Sequence, residues 1–230
     1  MNIYTAISIG EKILKNKLIF SAHLDSELLM SESINRDRKY ILLNSNKILR
    51  KKYINFFLKL IKIRSTRKPI AHIINKKFFW NSEFFVSGDA LIPRPDSELI
   101  VENILKLSKN KKKVRLLDIG VGSGCLLLSI LKERQDFSGT GIDISKKSLN
   151  ICKINANKLK VNRRLKLYKT DVDKFHSCKY DFVISNPPYI KNFNLKYLEK
   201  DVAKFEPKLA LDGGLDGLSA IRKVIKKSSE

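Results

Sequence analysis

A chain of 230 residues with 43% hydrophobic content can hold one large domain, or a small domain beside a medium one, each with its own core. Its 46 Lys and Arg against 23 Asp and Glu leave a net charge of +23, which suits an anionic partner, yet lysine is used throughout and the charge alone selects none. No basic segment followed by an apolar one opens the chain and no apolar stretch approaches membrane-spanning length, so the expectation is a soluble, cytoplasmic protein without a membrane partner.

Residues 1–75 read as helical. Ile3, Ile7 and Leu14 mark one helix, and Leu24 and Leu28 a second. Ile54, Phe57, Leu58 and Ile61 fall at i, i+3, i+4 and i+7, an apolar stripe with lysines on the opposite face. This part carries no obvious chemistry, and its default role is packing or holding a partner. Residues 76–90 change register: the aromatic runs of Phe78-Phe79-Trp80 and Phe84-Phe85-Val86, with polar residues between them, predict a β-hairpin linker and the domain boundary. Residues 91–230 form the second domain. It opens on Leu91-Ile92-Pro93-Arg94-Pro95-Asp96, extended because of its prolines, with Arg94 expected to brace a loop or a carboxylate. Asp96 is the expected N-cap of a helix that turns Ile100, Ile104 and Leu107 inward.

The next stretch reads strand, glycine loop, helix: Val114 to Asp118, then Gly120, Gly122 and Gly124, then Cys125 to Leu131. Glycines permit φ > 0 and close approach of the backbone to a ligand, and the following helix N-terminus offers free N–H groups. The spacing is GxGxG and not the dinucleotide fingerprint GxGxxG. About twenty residues further on, Asp143 ends a second strand, where an acid would take both hydroxyls of a ribose. Ser145 is placed to cap the next helix, whose Leu149, Cys152 and Ala156 face inward. A third strand, Leu165 to Lys169, ends near Asp171, and a fourth runs from Asp181 to Ser185. Successive strand-helix units predict an α/β fold with a doubly wound, mostly parallel, Rossmann-like sheet, in which ligands bind outside the carboxyl ends of the strands. Asp118, Asp143, Asp171 and Asn186 all fall at such ends. Acids gathered there repel pyrophosphate and welcome a ligand with a ribose and positive charge, which favours S-adenosylmethionine over NAD.

Immediately after the fourth strand stands Asn186-Pro187-Pro188-Tyr189. Two prolines fix φ and remove two N–H donors, so the turn offers the Asn186 side-chain carbonyl and main-chain carbonyls as acceptors, with the Tyr189 ring as a flat wall. Such a cage suits a planar NH2 group. Cys125, Cys152 and Cys178 are widely spaced and His23, His72 and His176 scattered, so neither a disulfide framework nor a metal site is expected.

With these motifs in hand the chain resembles the HemK family, the release-factor glutamine methyltransferases. The resemblance runs from Asp25-Ser26-Glu27-Leu28-Leu29 through Pro69-Ile70-Ala71-His72 and Ile92-Pro93-Arg94-Pro95-Asp96 to Phe205-Glu206-Pro207 and residues 210–217. It implies transfer of a methyl group from S-adenosylmethionine to the side-chain amide of the glutamine in the Gly-Gly-Gln loop of bacterial class 1 release factors. It further implies that Asp118 and the loop Gly120, Gly122 and Gly124 hold the cofactor, with Asp143 on the ribose and Asp171 near the adenine. Asn186 and Pro187, with Pro188 and Tyr189, would hold the glutamine amide, and Asn186 would also border the cofactor. The helical prefix would grip the release factor, as a monomer and with no need for nucleic acid. Family members continue through a helix and three further strands, so the sheet here is expected to lack its last strands. The alternatives are a nucleic-acid amino-group methyltransferase, which shares the NPPY turn, and a non-catalytic remnant that binds a release factor or ribosome.

Overall fold

The computed structural model describes residues 1–176 and 179–229, which leaves Cys178 outside the described residues. The chain divides into two compact units, Met1–Ile74 with Lys200–Phe205, and Asn75–Glu199 with Glu206–Glu230.

The first unit is helical: α1 (Ile3–Lys15), α2 (Ala22–Ile34), α3 (Arg38–Leu43), α4 (Lys51–Arg64) and α5 (Ile70–Ile74), with the short helix Lys200–Phe205. α1 starts where the Asn2 side chain accepts the Thr5 N–H at 2.8 Å, and it buries Ile3, Ala6, Ile7 and Leu14 along one stripe. α4 buries Phe57, Leu60 and Ile61. α2 is a helix as expected, but Leu24 is exposed and the inward face carries Asp25, Ser26, Leu29, Met30 and Ser33. The reason lies on α4, where the buried Arg64 guanidinium meets Asp25 Oδ2 and Asp201 Oδ2, each at 2.7 Å, and donates to the Lys68 carbonyl. A paired acid can sit where an apolar side chain would otherwise be required.

The second unit opens with an antiparallel hairpin, β1 (Lys76–Phe79) and β2 (Ser82–Phe85), joined through Trp80 at φ 51°. The hairpin does more than link, because Phe79 and Phe84 meet edge to face inside the core of this unit. α6 (Glu98–Leu107) turns Val101 and Ile104 inward and exposes Leu107, against expectation. At 100° per residue the buried stripe runs through 101, 104 and 108, and Leu107 falls off it. Asp96 is exposed within the 3-10 turn Pro95–Ser97 and caps no helix among the described residues; Pro95 starts that turn and Ser97 stands at the N-cap of α6.

Four parallel strands follow, β3 (Arg115–Ile119), β4 (Ser138–Asp143), β5 (Leu165–Lys169) and β6 (Phe182–Ser185), in the order β5-β4-β3-β6. Between them run α7 (Cys125–Glu133) and α8 (Lys146–Lys158). One sheet face packs on α6, α7, α8 and the hairpin; on the other, Leu117, Ile119 and Ile142 gather with Phe175 and with Val224 of the helix Ser219–Ser228. The alternation along β3, Leu116 to one face and Leu117 to the other, is what a strand covered on both sides requires. This is the Rossmann-like, doubly wound architecture expected, and its order reverses at β3, between β4 and β6. Among the described residues no helix is long and apolar enough to cross a membrane.

Candidate active site

The reversal of strand order opens a crevice at the carboxyl ends of β3, β4 and β6, and a cavity of about 280 Å³ lies there. Asp118, the glycine loop, Asp143, Asp171, Asn186, Pro187 and Pro188 all border it, so the structure brings together nearly every site residue named from the sequence. Tyr189 is not part of its lining; its ring is exposed beyond Pro188.

The loop after β3 is shaped by φ values of +74° at Gly120, +55° at Gly122 and +82° at Gly124. The three glycines differ in what faces them. A Cβ at Gly120 would meet nothing within 4 Å and one at Gly122 only the Gly120 carbonyl at 3.8 Å, whereas one at Gly124 would stand 2.7 Å from Cys152 Sγ and Leu128. The first two leave open backbone facing the cavity, and the third lets α7 and α8 pack. Asn155 of α8, fully buried, fixes the loop from behind. Its amide donates to the Ser123 carbonyl at 2.9 Å and exchanges hydrogen bonds with the main chain of Phe85. At the end of β4, Asp143 Oδ2 accepts the Gly122 N–H at 3.0 Å and Oδ1 the Ser145 N–H at 2.8 Å. Ser145 caps α8 as expected, accepting the Ser148 N–H.

Asp118 lies one residue before the end of β3, opposite Gly141 on one side and Ile184 on the other. It is 1% exposed and neither carboxylate oxygen has a hydrogen-bond partner among the described residues. Burial, reinforced by the charge of Asp143, pushes its carboxyl up to about 8; the Leu127 amide opposes this without reaching hydrogen-bonding geometry. Burial also raises Asp143, against its hydrogen bonds from Ser145 and Gly122. Two acids held above the ordinary carboxylate range beside an open glycine backbone fit a cationic ligand that carries ribose hydroxyls. These residues therefore fit S-adenosylmethionine. Asp171, beyond β5, caps a 3-10 turn through the Asp173 N–H at 2.9 Å and faces Lys223 at 3.8 Å. Burial holds the Cys125 and Cys152 thiols far above their ordinary range, so neither is a ready nucleophile.

Asn186 directly follows β6, whose last residue Ser185 donates its hydroxyl to the Ile119 carbonyl at 2.6 Å. The Asn186 Nδ2 donates to Ser97 Oγ at 3.1 Å, and its Oδ1 accepts no hydrogen bond among the described residues. Ser97 was not singled out in the sequence, since a serine after Pro-Asp carries no signal of its own. Glu206 was quoted there without a role. It is buried, and its carboxylate takes Arg94 Nη2 at 2.5 Å and the Ile92 N–H at 3.1 Å. Arg94 thus braces a carboxylate, as expected, and the pair ties together two loops that wall the cavity through Ile92, Pro93, Pro207 and Leu209. Ala220, Lys223 and Val224 of the helix Ser219–Ser228 also reach the lining, another contribution missed in the sequence.

Residues 95–215 match the family model "Methyltransferase small domain", and residues 5–74 match "PrmC N-terminal domain". The chain is 37% identical over 212 residues to a release factor glutamine methyltransferase of Caulobacter vibrioides, covering 92% of this chain and 73% of that one. It is also 37% identical over 212 residues to one of Buchnera aphidicola subsp. Baizongia pistaciae, covering 91% and 75%. The hMettl16 catalytic domain, solved in complex with the MAT2A 3'UTR hairpin 6, superposes with a TM-score of 0.53 at 17% identity over 64% of this chain and 56% of that one, which reports a common fold. The chain accordingly belongs to the release factor glutamine methyltransferase family and is an S-adenosylmethionine-dependent methyltransferase.

Proposed function

We propose that this chain methylates the side-chain amide nitrogen of the glutamine in the Gly-Gly-Gln loop of bacterial class 1 peptide chain release factors. The observation that carries the reading is the arrangement at Asn186: its NH2 is engaged by Ser97, its Oδ1 is left unpartnered among the described residues, and two prolines without N–H groups follow it. A turn that offers acceptors and withholds donors selects a ligand with two hydrogens to give, and the primary amide of glutamine is one.

An amide nitrogen is a poor nucleophile because its lone pair is delocalised into the carbonyl, the resonance behind the rotation barrier of about 18–20 kcal/mol in peptide bonds. Asn186 Oδ1 and the Pro187 carbonyl take the two amide hydrogens and aim the nitrogen, with Pro188 and the exposed Tyr189 ring as the wall beside it. Orientation of this kind supplies up to about 7–11 kcal/mol in favourable cases. Acceptors fixed in advance also stabilise the positive charge that moves onto nitrogen. The N-methylated amide is strongly acidic and sheds its proton afterwards, so no base is required before attack. When bound, S-adenosylmethionine supplies the electrophilic methyl group. Asp118, Gly120, Gly122, Gly124, Asp143 and Asp171 would hold it, Asp143 at the ribose and Asp171 beside the adenine, with Asn186 at its border. The helical unit contributes to the grip on the release factor.

The test is incubation of the purified chain with methyl-labelled S-adenosylmethionine and a class 1 release factor, with a Gln→Ala variant of its Gly-Gly-Gln loop as control. Label that depends on that glutamine is the expected result; label on the control, or none, contradicts the reading. A second reading, methylation of a nucleic-acid amino group, draws on the exposed Tyr189, Phe193 and Tyr197 and on Lys191 and Lys196, which lie over the Phe193 and Tyr197 rings. Label on RNA in the same assay without protein substrate would favour it.

A further inference from the structure

The acceptor turn presents main-chain carbonyls as well as the Asn186 side chain, so something must hold its backbone. β6 holds the N-terminal end, through its pairing with β3 and the bond from Ser185 to Ile119. The C-terminal end is held by residues 211–217, a glycine-rich stretch that nothing above gives a role. Ile190 donates its N–H to the Leu211 carbonyl at 3.1 Å and accepts the Gly213 N–H at 2.8 Å, while the Asn192 N–H donates to the Gly214 carbonyl at 2.9 Å. Asp212 locks the pair of segments. One of its oxygens takes Asn192 Nδ2 at 3.1 Å and the other the Gly214 N–H at 3.0 Å.

The two backbones approach so closely that side chains are excluded between them. A Cβ at Gly213 would stand 2.8 Å from Tyr189 Cα, and one at Gly217 would stand 2.6 Å from the Tyr189 carbonyl oxygen. These neighbours are main-chain atoms. At Gly213 the Cβ would also meet the Gly217 carbonyl oxygen at 2.7 Å, so a side chain there presses both on the acceptor turn and on its own cradle. At Gly217 the nearest atom is that of the turn. Gly213 lies outside the left-handed region, so proximity alone asks for glycine there, while Gly217 at φ +81° needs it on both counts.

We propose that Gly213 and Gly217 are positioning residues for methyl transfer: they let residues 211–217 cradle the main chain at Tyr189 and so set the acceptors that hold the substrate amide. This rests on the reading of Asn186 to Tyr189 as the amide-binding turn. Displacement of such a turn by about 1 Å is enough to lower turnover on the order of 100-fold.

Three variants separate this from a general effect of strain. Gly214, at φ +86°, shares the backbone demand of Gly217, but a Cβ there would meet only the flexible Ser219 side chain. Asparagine tolerates positive φ, so Gly214→Asn and Gly217→Asn bear a similar backbone cost while only the second presses on Tyr189. Gly213→Ala tests proximity alone. Amide hydrogen exchange of residues 189–192 without substrate, S-adenosylhomocysteine affinity by calorimetry and kcat on a release factor are read for each. The expected result for Gly213→Ala and Gly217→Asn is loss of protection at Ile190 and Asn192 and a kcat lower by about 100-fold, with cofactor-product affinity within about threefold of wild type. Gly214→Asn should shift exchange and kcat by less than Gly217→Asn, because its Cβ meets a side chain and not the main chain at Tyr189. Should the first two fail to fold, Asp212→Ala removes only side-chain bonds and should shift exchange and kcat the same way by less. Wild-type protection and kcat in both Gly213→Ala and Gly217→Asn would overturn the proposal. A wild-type chain that labels no release factor would overturn the functional reading instead, and the exchange measurement would still decide the cradle.

Discussion

Asp25 in the helical unit and Asp118 in the methyltransferase unit are both sealed from solvent, 3% and 1% exposed, and they are treated in opposite ways. Asp25 meets the buried guanidinium of Arg64 at 2.7 Å, which in turn holds Asp201. Asp118 has no hydrogen-bond partner among the described residues, lies beside a second acid and borders a cavity. A buried charge matched inside the protein serves the fold, and removing its partner leaves an expensive orphan. On the proposed reading, a buried carboxyl left unmatched at the mouth of a glycine loop serves a ligand, and its raised pKa lets the fold hold it protonated.

Substitutions should split along that line. Arg64→Met strands the buried Asp25 and leaves Asp201 with Arg67 alone, at 3.5 Å, and should lower stability by about 3–5 kcal/mol, read as a lower urea midpoint. A loss under about 1 kcal/mol would mean that the pair is not the structural device described here. Asp143→Ala should leave the urea midpoint nearly unchanged but weaken S-adenosylmethionine binding about 10–100-fold, because a charged acceptor and the anchor of Gly122 go together; unchanged affinity by calorimetry would remove Asp143 from the site.

Asp118→Asn gives the smallest effect and the most diagnostic, because it depends on pH. The folded carboxyl, at about 8, stands above its ordinary 3.8, so folding takes up a proton between those limits. This contribution to stability is full below about 4, falls as pH rises and is lost by about 8. Asp118→Asn should therefore gain on wild type in urea midpoint between pH 6 and pH 8. Cofactor affinity should run the other way in wild type, rising toward pH 8 as the carboxyl ionises against a cationic ligand, with proton release on binding. The variant should show neither trend, and parallel profiles for the two proteins would contradict the assignment.

Much of this division was legible in the sequence. Period and turn chemistry located the strands and α7 and α8, most plainly at β3, where Leu116, Leu117 and Ile119 are buried in a run that ends at the glycine loop. Glycines, acids and NPPY at those ends then announced the site. Local pattern failed where a side chain acts across the fold. Asp25 turns inward in place of Leu24 only because Arg64 arrives from another helix. Leu107 lies outside because the stripe of α6 is set by Val101 and Ile104. Asp96 has the chemistry of a cap, but Pro95 starts the helical turn before it. Ser97 and Glu206 acquire their roles from partners 89 and 112 residues away, at separations that no periodicity reports.

The central claim is that Asn186 presents an unpartnered acceptor to a substrate amide, and the most direct test compares wild type with Asn186→Ala in two measurements on the same preparations. Single-turnover methyl transfer to a class 1 release factor should fall by about 100–1000-fold, the loss typical of removing one preorganised polar group at a reacting centre. S-adenosylhomocysteine affinity should stay close to that of wild type. Transfer at the wild-type rate would contradict the account, and a loss of transfer matched by an equal loss of cofactor binding would assign Asn186 to the cofactor instead.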